Sequence, residues 1–286
     1  VSNRGGSTPS IALALGGGGA RGLAHIHAIK ALDELGLRPT AISGSSIGAI
    51  MGAGMASGLS GKDIEEHARS ILSRRAEVLA RVWRSRPATF SEMMESGLRL
   101  GQFNAPRVVG AFLPEAIPET FQELKIPLHV TATDYYGHCL AVLSEGDLVS
   151  SLAASAALPA IFCPVERDGR LLIDGGIYNP VPFDILEGKA DLVIAIDVVG
   201  APSKTSAKVP TTVEMMFGAT QLMMQSIIAM KLESRRPDIL LRPPVSRFRV
   251  LDFLKINAIM EETAGLKDEL KRAIDAAFTT AAKHSA

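Results

Sequence analysis

The 286-residue chain is 47% hydrophobic, enough for a sizeable core, and this composition excludes a disordered class. Its thirty Lys and Arg balance thirty Asp and Glu, so net charge gives no reason to expect nucleic acid or a strongly acidic substrate as partner. Cys139 and Cys163 form no CxxC pair and no zinc-ligand cluster; in apolar surroundings they read as buried thiols, in keeping with a reducing, cytoplasmic location.

In chain order, the polar opening contains no apolar core of signal-peptide length, and residues 1–9 are expected to form a flexible tail ahead of one domain, 10–286. The apolar run Ser10 to Leu15 reads as a buried strand stopped by four glycines. From Arg21 the pattern turns helical, with Leu23, Ile26, Ile29, Leu32 and Leu35 at helical spacing and Gly36 as the stop. A second unit repeats the scheme: strand Thr40 to Ser43, a glycine-serine turn, and a small-residue helix from Ile47 to Ser57. Two adjacent β-turn-α units imply a parallel sheet in an α/β fold. No charge occurs from Pro39 to Gly61, but six glycines and five serines make this stretch a buried turn and helix rather than a membrane span. Ser60 and Asp63 then open an amphipathic helix in capping-box fashion.

Arginines 74, 75, 81, 84 and 86, with Trp83 among them, read as a solvated helix face; contact with an anionic membrane is the competing reading. Residues 87–120 carry four prolines and read as irregular cover. Strands follow at Leu128–Thr133 and near Cys139 to Leu143, then a buried helix from Leu148 to Leu158. A hairpin is expected around Asp168-Gly169, leading into Leu171 to Ile173 and Asp174-Gly175-Gly176. Leu192 to Ile196 is a strongly apolar strand, and 203–210 a polar connector. The helix from Val213 to Leu232 carries Met215, Met216, Met223, Met224 and Met230, expected to pack in the core, with a lipid-facing patch as the alternative. A strand at Ile239–Leu241 and a single helix from Ile256 to Ala282 complete the chain.

Chemistry concentrates in three segments. Gly44-Ser45-Ser46-Ile47-Gly48, between a strand and a helix, has the pattern of a nucleophile elbow with Ser46 exposed at the turn. Alone it is a weak signal, since a glycine-serine helix start with Ser46 as a cap gives the same pattern. Gly16 to Gly22 can point backbone N–H groups at an oxyanion or a phosphate at a helix N-terminus. Gly17, Gly19 and Gly22 also fit G-x-G-x-x-G, but no acid stands near residue 40 to hold a ribose, and no Gly-Lys-Ser/Thr follows for a Walker A loop. A serine nucleophile needs a base. Only His284, third from the C-terminus, follows Asp174, so a Ser-acid-His triad is poorly supported and Asp174 is the best direct base.

Taken together, Gly17-Gly18-Gly19-Ala20-Arg21-Gly22, Gly44-Ser45-Ser46-Ile47-Gly48 and Asp174-Gly175-Gly176 resemble the patatin-like phospholipase family in order and spacing. Ala153 to Phe162 and Asn179-Pro180-Val181-Pro182 extend the resemblance over roughly Ile11 to Val199. It implies a three-layer α/β/α sandwich with a central, mainly parallel sheet, and a dyad in which Ser46 attacks an acyl ester and Asp174 is the base. It further implies an oxyanion hole from the amides of Gly17, Gly18 and Gly19, a loop held by Arg21, and no metal or cofactor. The implied partner is a phospholipid, lysophospholipid or neutral acyl ester, met in the cytoplasm or peripherally at a membrane. Gly16 departs from the family pattern, where many members have Asp. A non-catalytic lipid- or phosphate-binding module, and acyl transfer through the same acyl-serine, are the alternatives.

Overall fold

The computed structural model describes residues 9–72, 102–203 and 209–284. The arginine-rich segment with Trp83, nearly all of the expected tail and most of the 203–210 connector lie outside the described residues. The strands are β1 (Ile11–Leu15), β2 (Ala41–Ser45), β3 (Leu128–Asp134), β4 (Cys139–Leu143), β5 (Val165–Arg167), β6 (Arg170–Asp174), β7 (Leu192–Ile196) and β8 (Ile239–Leu241). The helices are α1 (His25–Glu34), α2 (Ile47–Ala56), α3 (Gly61–Leu72), α4 (Ala105–Phe112), α5 (Leu148–Ser155), α6 (Thr212–Ser234), α7 (Ile256–Glu262) and α8 (Gly265–His284).

The strands form one mixed sheet in the order β5-β6-β3-β2-β1-β7-β8, with β4 also paired to β3. Its centre, β3-β2-β1-β7-β8, is parallel, while β4, β5 and β6 pair antiparallel. This is an α/β fold with a mostly parallel sheet between helical layers. Alternation along the strands assigns the two faces. Ile11, Leu13, Leu15, Ile42, Ile194 and Ile196 enter one large core with α1, α2, α3, α7 and α8. Ala12, Ala14, Ala41 and Ala195 face a thinner core closed by Phe183, Leu186 and Ile228 of α6.

Local chemistry explains most elements. Ser60 and Asp63 exchange hydrogen bonds at the start of α3, as the capping box requires. Asp168 and Gly169 both take positive φ, 51° and 70°, giving the turn that matches strand twist between β5 and β6. Gly48 lets α2 begin directly over the end of β1, because a Cβ there would stand 2.1 Å from the Leu15 carbonyl oxygen. That oxygen is rigid backbone, so Gly48→Ala is expected to cost at least about 2 kcal/mol of stability, read from the denaturant midpoint.

Four expectations are corrected. Within the stretch read as irregular cover, residues 105–112 form α4, started by Asn104 as N-cap with Pro106 in the first turn, where a proline costs no hydrogen bond. The C-terminal helix is two helices, α7 and α8, parted at Thr263, whose buried hydroxyl donates to the Ile259 carbonyl. Cys139 is exposed and Cys163 half-buried, both as free thiols: Cys139 stands at the hairpin end of β4, opposite Asp134, where the sheet gives way to the turn, and Cys163 lies in the connection ahead of β5. Met215, Met216, Met223 and Met230 are exposed rather than in the core, and Ile228 is the one buried residue of α6.

Candidate active site

Two strands meet head to head along one edge of β3. β2 runs parallel to β3 and ends with Ser45 opposite Thr131. β6 runs antiparallel and ends with Asp174 opposite Ala132, the next residue along. The chain therefore leaves both strands at one point, carrying Ser46 and Asp174 toward each other across 128 residues of sequence. The Ser46 hydroxyl donates to Asp174 Oδ2 at 2.7 Å.

Ser46 takes φ 52°, a conformation that costs a non-glycine residue about 1–3 kcal/mol and lifts the side chain clear of the turn. Its N–H donates to the Ser155 hydroxyl at 2.8 Å, while its carbonyl accepts the first bonds of α2. Ser155 is fully buried at the end of α5 and had no role assigned from sequence; only its place in the Ala153 to Phe162 stretch marked it. Gly44 approaches the Ala49 backbone so closely that a Cβ would lie 2.5 Å from the Ala49 nitrogen, which allows strand, turn and helix to fold back tightly.

Asp174 is buried, and desolvation pushes its carboxyl up to about 6, against the opposing pull of hydrogen bonds from Ser46 and the Gly176 N–H. Its Oδ1 accepts from the Gly176 N–H at 2.8 Å, so each carboxylate oxygen has a donor. Gly175 follows because a Cβ there would reach within 2.2 Å of the Thr131 carbonyl oxygen. Near pH 7 this carboxylate is ionised, yet more basic than an exposed one.

The glycine loop lies beside this pair, held by side-chain bonds from His25 and Arg21 and by backbone bonds from Gly16, Gly17 and Ala20 to the Ile196, Pro180 and Val250 carbonyls. His25 donates from Nε2 to the Gly16 carbonyl at 2.8 Å, and burial depresses its pKa to about 4, so the ring is neutral. Because the carbonyl can only accept, Nε2 carries the proton. Space around Gly16 is closed by the Ile196 and Pro180 carbonyls, which accounts for glycine at this position. Arg21, almost wholly buried and lowered to about 10 by desolvation, donates from Nε to the Gly18 carbonyl at 3.0 Å. In a trans peptide the carbonyl and the next N–H point oppositely, so this bond turns the Gly19 N–H away from Arg21. Gly19 needs glycine, with φ 58° and the Val250 carbonyl 2.3 Å from where a Cβ would stand. Gly22 seats Ile47 in the space its own side chain would fill.

Gly17 departs from the expected oxyanion set, because its N–H already donates to the Pro180 carbonyl at 2.8 Å. Gly18 and Gly19 have no acceptor for their N–H groups among the described residues, and both line the same cavity as Ser46 and Asp174. That cavity, about 450 Å³, extends from the pair between α2, α3 and α4, past Ile50, Met51, Ile64, Val109 and Phe112. Apart from His67 its deeper walls are apolar, a lining chemically suited to a hydrocarbon chain.

A family model for patatin-like phospholipase matches residues 13–187, which include the glycine loop, Ser46 and Asp174. The chain belongs to the patatin-like phospholipase family. Members are typically serine hydrolases, and the fold above agrees with that membership. An uncharacterised NTE family protein of Mycobacterium tuberculosis is 36% identical over 200 residues, covering 69% of this chain and 51% of that protein. Patatin-like phospholipase domain-containing protein 6 of Homo sapiens is 34% identical over 197 residues, covering 66% of this chain and 13% of that protein. The chain thus spans about half the length of the mycobacterial relative and a small part of the human one. Among solved structures, human GIVD cytosolic phospholipase A2 aligns with a TM-score of 0.47 at 12% identity, over 95% of this chain and 60% of that one.

Proposed function

We propose that this family member hydrolyses lipid acyl esters through an acyl-Ser46 intermediate, with Asp174 as general base and the N–H groups of Gly18 and Gly19 as oxyanion donors. The observation that carries this reading is the 2.7 Å hydrogen bond from Ser46 to a buried, proton-hungry Asp174 at the head of an apolar cavity. Ser46 Oγ attacks the ester carbonyl as its proton passes to Asp174, and negative charge builds on the former carbonyl oxygen. The two loop amides stabilise that charge at the head of a largely apolar cavity. Collapse expels the alcohol, which takes the proton from Asp174. A water molecule then attacks the acyl-serine, gives its proton to Asp174, and the carboxylic acid leaves as Ser46 recovers its proton.

Arg21 acts here as a positioning residue through the Gly18 carbonyl. Arg21→Met is expected to lower kcat by roughly 10–100-fold with KM changed less than about threefold, since the loop amides act mainly on the transition state. Steady-state kinetics on p-nitrophenyl butyrate separates the two constants.

The assignment of Ser46 is tested by a fluorophosphonate probe, which phosphonylates an activated serine. Mass mapping is expected to place the adduct on Ser46 and to find none after Ser46→Ala. Absence of any adduct, with lipid still bound, would turn the reading to a non-catalytic lipid-binding module.

A further inference from the structure

Between Glu214 and Lys231, α6 carries sixteen consecutive uncharged residues, Met215 to Met230, of which only Thr220, Gln221, Gln225 and Ser226 are polar. A helix of that composition is normally buried all round. Here only the inner side is used. Phe217, Thr220, Gln221 and Met224 line the cavity that holds Ser46, and Ile228 enters the thin core. On the opposite side Met216, Met223 and Met230 are 59%, 60% and 61% exposed, and Leu222 lies with them. Leu251 lines the cavity and is itself half exposed, which marks a mouth there; Leu254 is exposed close by in sequence. Glu214 pairs with Arg249 at the N-terminal end of this region, and Asp252, next to Leu251, pairs with Lys255, so among the described residues these charges are balanced locally.

We propose that the outer face of α6, together with Leu251 and Leu254, is the surface by which the protein settles on a lipid bilayer, with the cavity mouth at the membrane. Flexible methionines suit a disordered hydrocarbon layer; no charge from Met215 to Met230 has to be desolvated as the helix sinks among acyl chains, and the Thr220 and Ser226 hydroxyls are already bonded to the Met216 and Leu222 carbonyls. A second copy of the chain is the weaker fit. The strip is about 22 Å long and about 10 Å wide, a footprint of roughly 220 Å² against the roughly 800 Å² per partner of a stable protein interface. The helix thus has one face toward the lipid and the other toward the reacting ester, which shortens the path of an insoluble acyl chain from bilayer to Ser46. The purpose of this surface rests on the proposed ester hydrolysis, but its existence does not.

The test uses the full chain and phosphatidylcholine vesicles in a sedimentation assay, with Met216→Ser, Leu222→Ser, Met223→Ser and Met230→Ser combined. None of these side chains lines the cavity, and all are exposed, so the melting temperature is expected to hold. Vesicle binding is expected to fall at least about tenfold, as is hydrolysis of vesicle-borne ester, while hydrolysis of soluble p-nitrophenyl butyrate is retained. Leucine at the three methionine positions is expected to keep binding. Undiminished binding by the serine variant, or no binding by the parent chain, overturns the proposal. So does a concentration-dependent dimer that the serine substitutions dissolve while vesicle binding stays absent. Loss of soluble-ester hydrolysis in the parent chain, with vesicle binding intact, would strike the hydrolase reading and leave the docking surface standing.

Discussion

Ser46→Ala is expected to lower p-nitrophenyl butyrate turnover by at least about 10³-fold, because no covalent intermediate can form and the remaining oxyanion donors and binding contacts supply only residual catalysis. The substitution removes one hydroxyl at a half-buried position and leaves the φ 52° turn, the Ser155 bond and the Gly176 bond to Asp174 in place. Folding should therefore persist, with thermal unfolding monitored alongside kinetics. Asp174 loses its hydrogen bond from Ser46 in this variant, so its carboxyl should rise further above the ordinary range. Turnover within tenfold of the parent would exclude Ser46 as the nucleophile.

Asp174→Asn is expected to cost about 10²–10⁴-fold in kcat, the usual worth of a positioned general base. The amide can keep both contacts, offering its oxygen to the Gly176 N–H and its NH₂ to Ser46 Oγ, but it takes no proton. In the parent enzyme the base must be ionised, so kcat/KM should fall about tenfold per pH unit below about 6 and level off above it. Stability should move the opposite way. The folded-state pKa of Asp174 is raised from 3.8 to about 6, so the native state binds more protons than the unfolded chain between those values, and stability drops as pH rises through that window. At pH 7 the penalty is on the order of 3 kcal/mol. Asp174→Asn removes it, so the variant should melt several degrees higher than the parent at pH 7 and show little advantage near pH 4. A variant that is both active and no more stable at pH 7 would contradict both roles assigned to this carboxylate.

Much of the fold was legible because its signals are local. The apolar runs of β1, β3 and β7, the Asp168-Gly169 turn and the Ser60–Asp63 cap lie within a few residues of one another, and the structure places each close to its expected position. Errors arose where burial depends on what lies across the sheet. Cys139 has the apolar neighbours of a core residue and shares a strand face with buried Ala141 and Leu143, but it stands at the exposed hairpin end of β4, and the methionines of α6 carry a core-like composition on a helix that covers only a thin layer. The break between α7 and α8 rests on a buried threonine bonding back to a carbonyl one turn earlier, which no hydrophobic period reveals.

The candidate site divides in the same way. Sequence by itself determined the family, the α/β class, and the three segments in which glycine is needed for tight turns and close backbone approach. It could not decide that Ser46 and Asp174 touch, since that follows from β2 and β6 ending against consecutive residues of β3. Nor could it decide which loop amides remain available. Gly17, Gly18 and Gly19 are chemically identical along the chain, and only packing gives Gly17 the Pro180 carbonyl and turns the Gly18–Gly19 peptide through Arg21. Hydrogen-bond donors are set by residue type, but their direction is set by the partners that the fold brings to them.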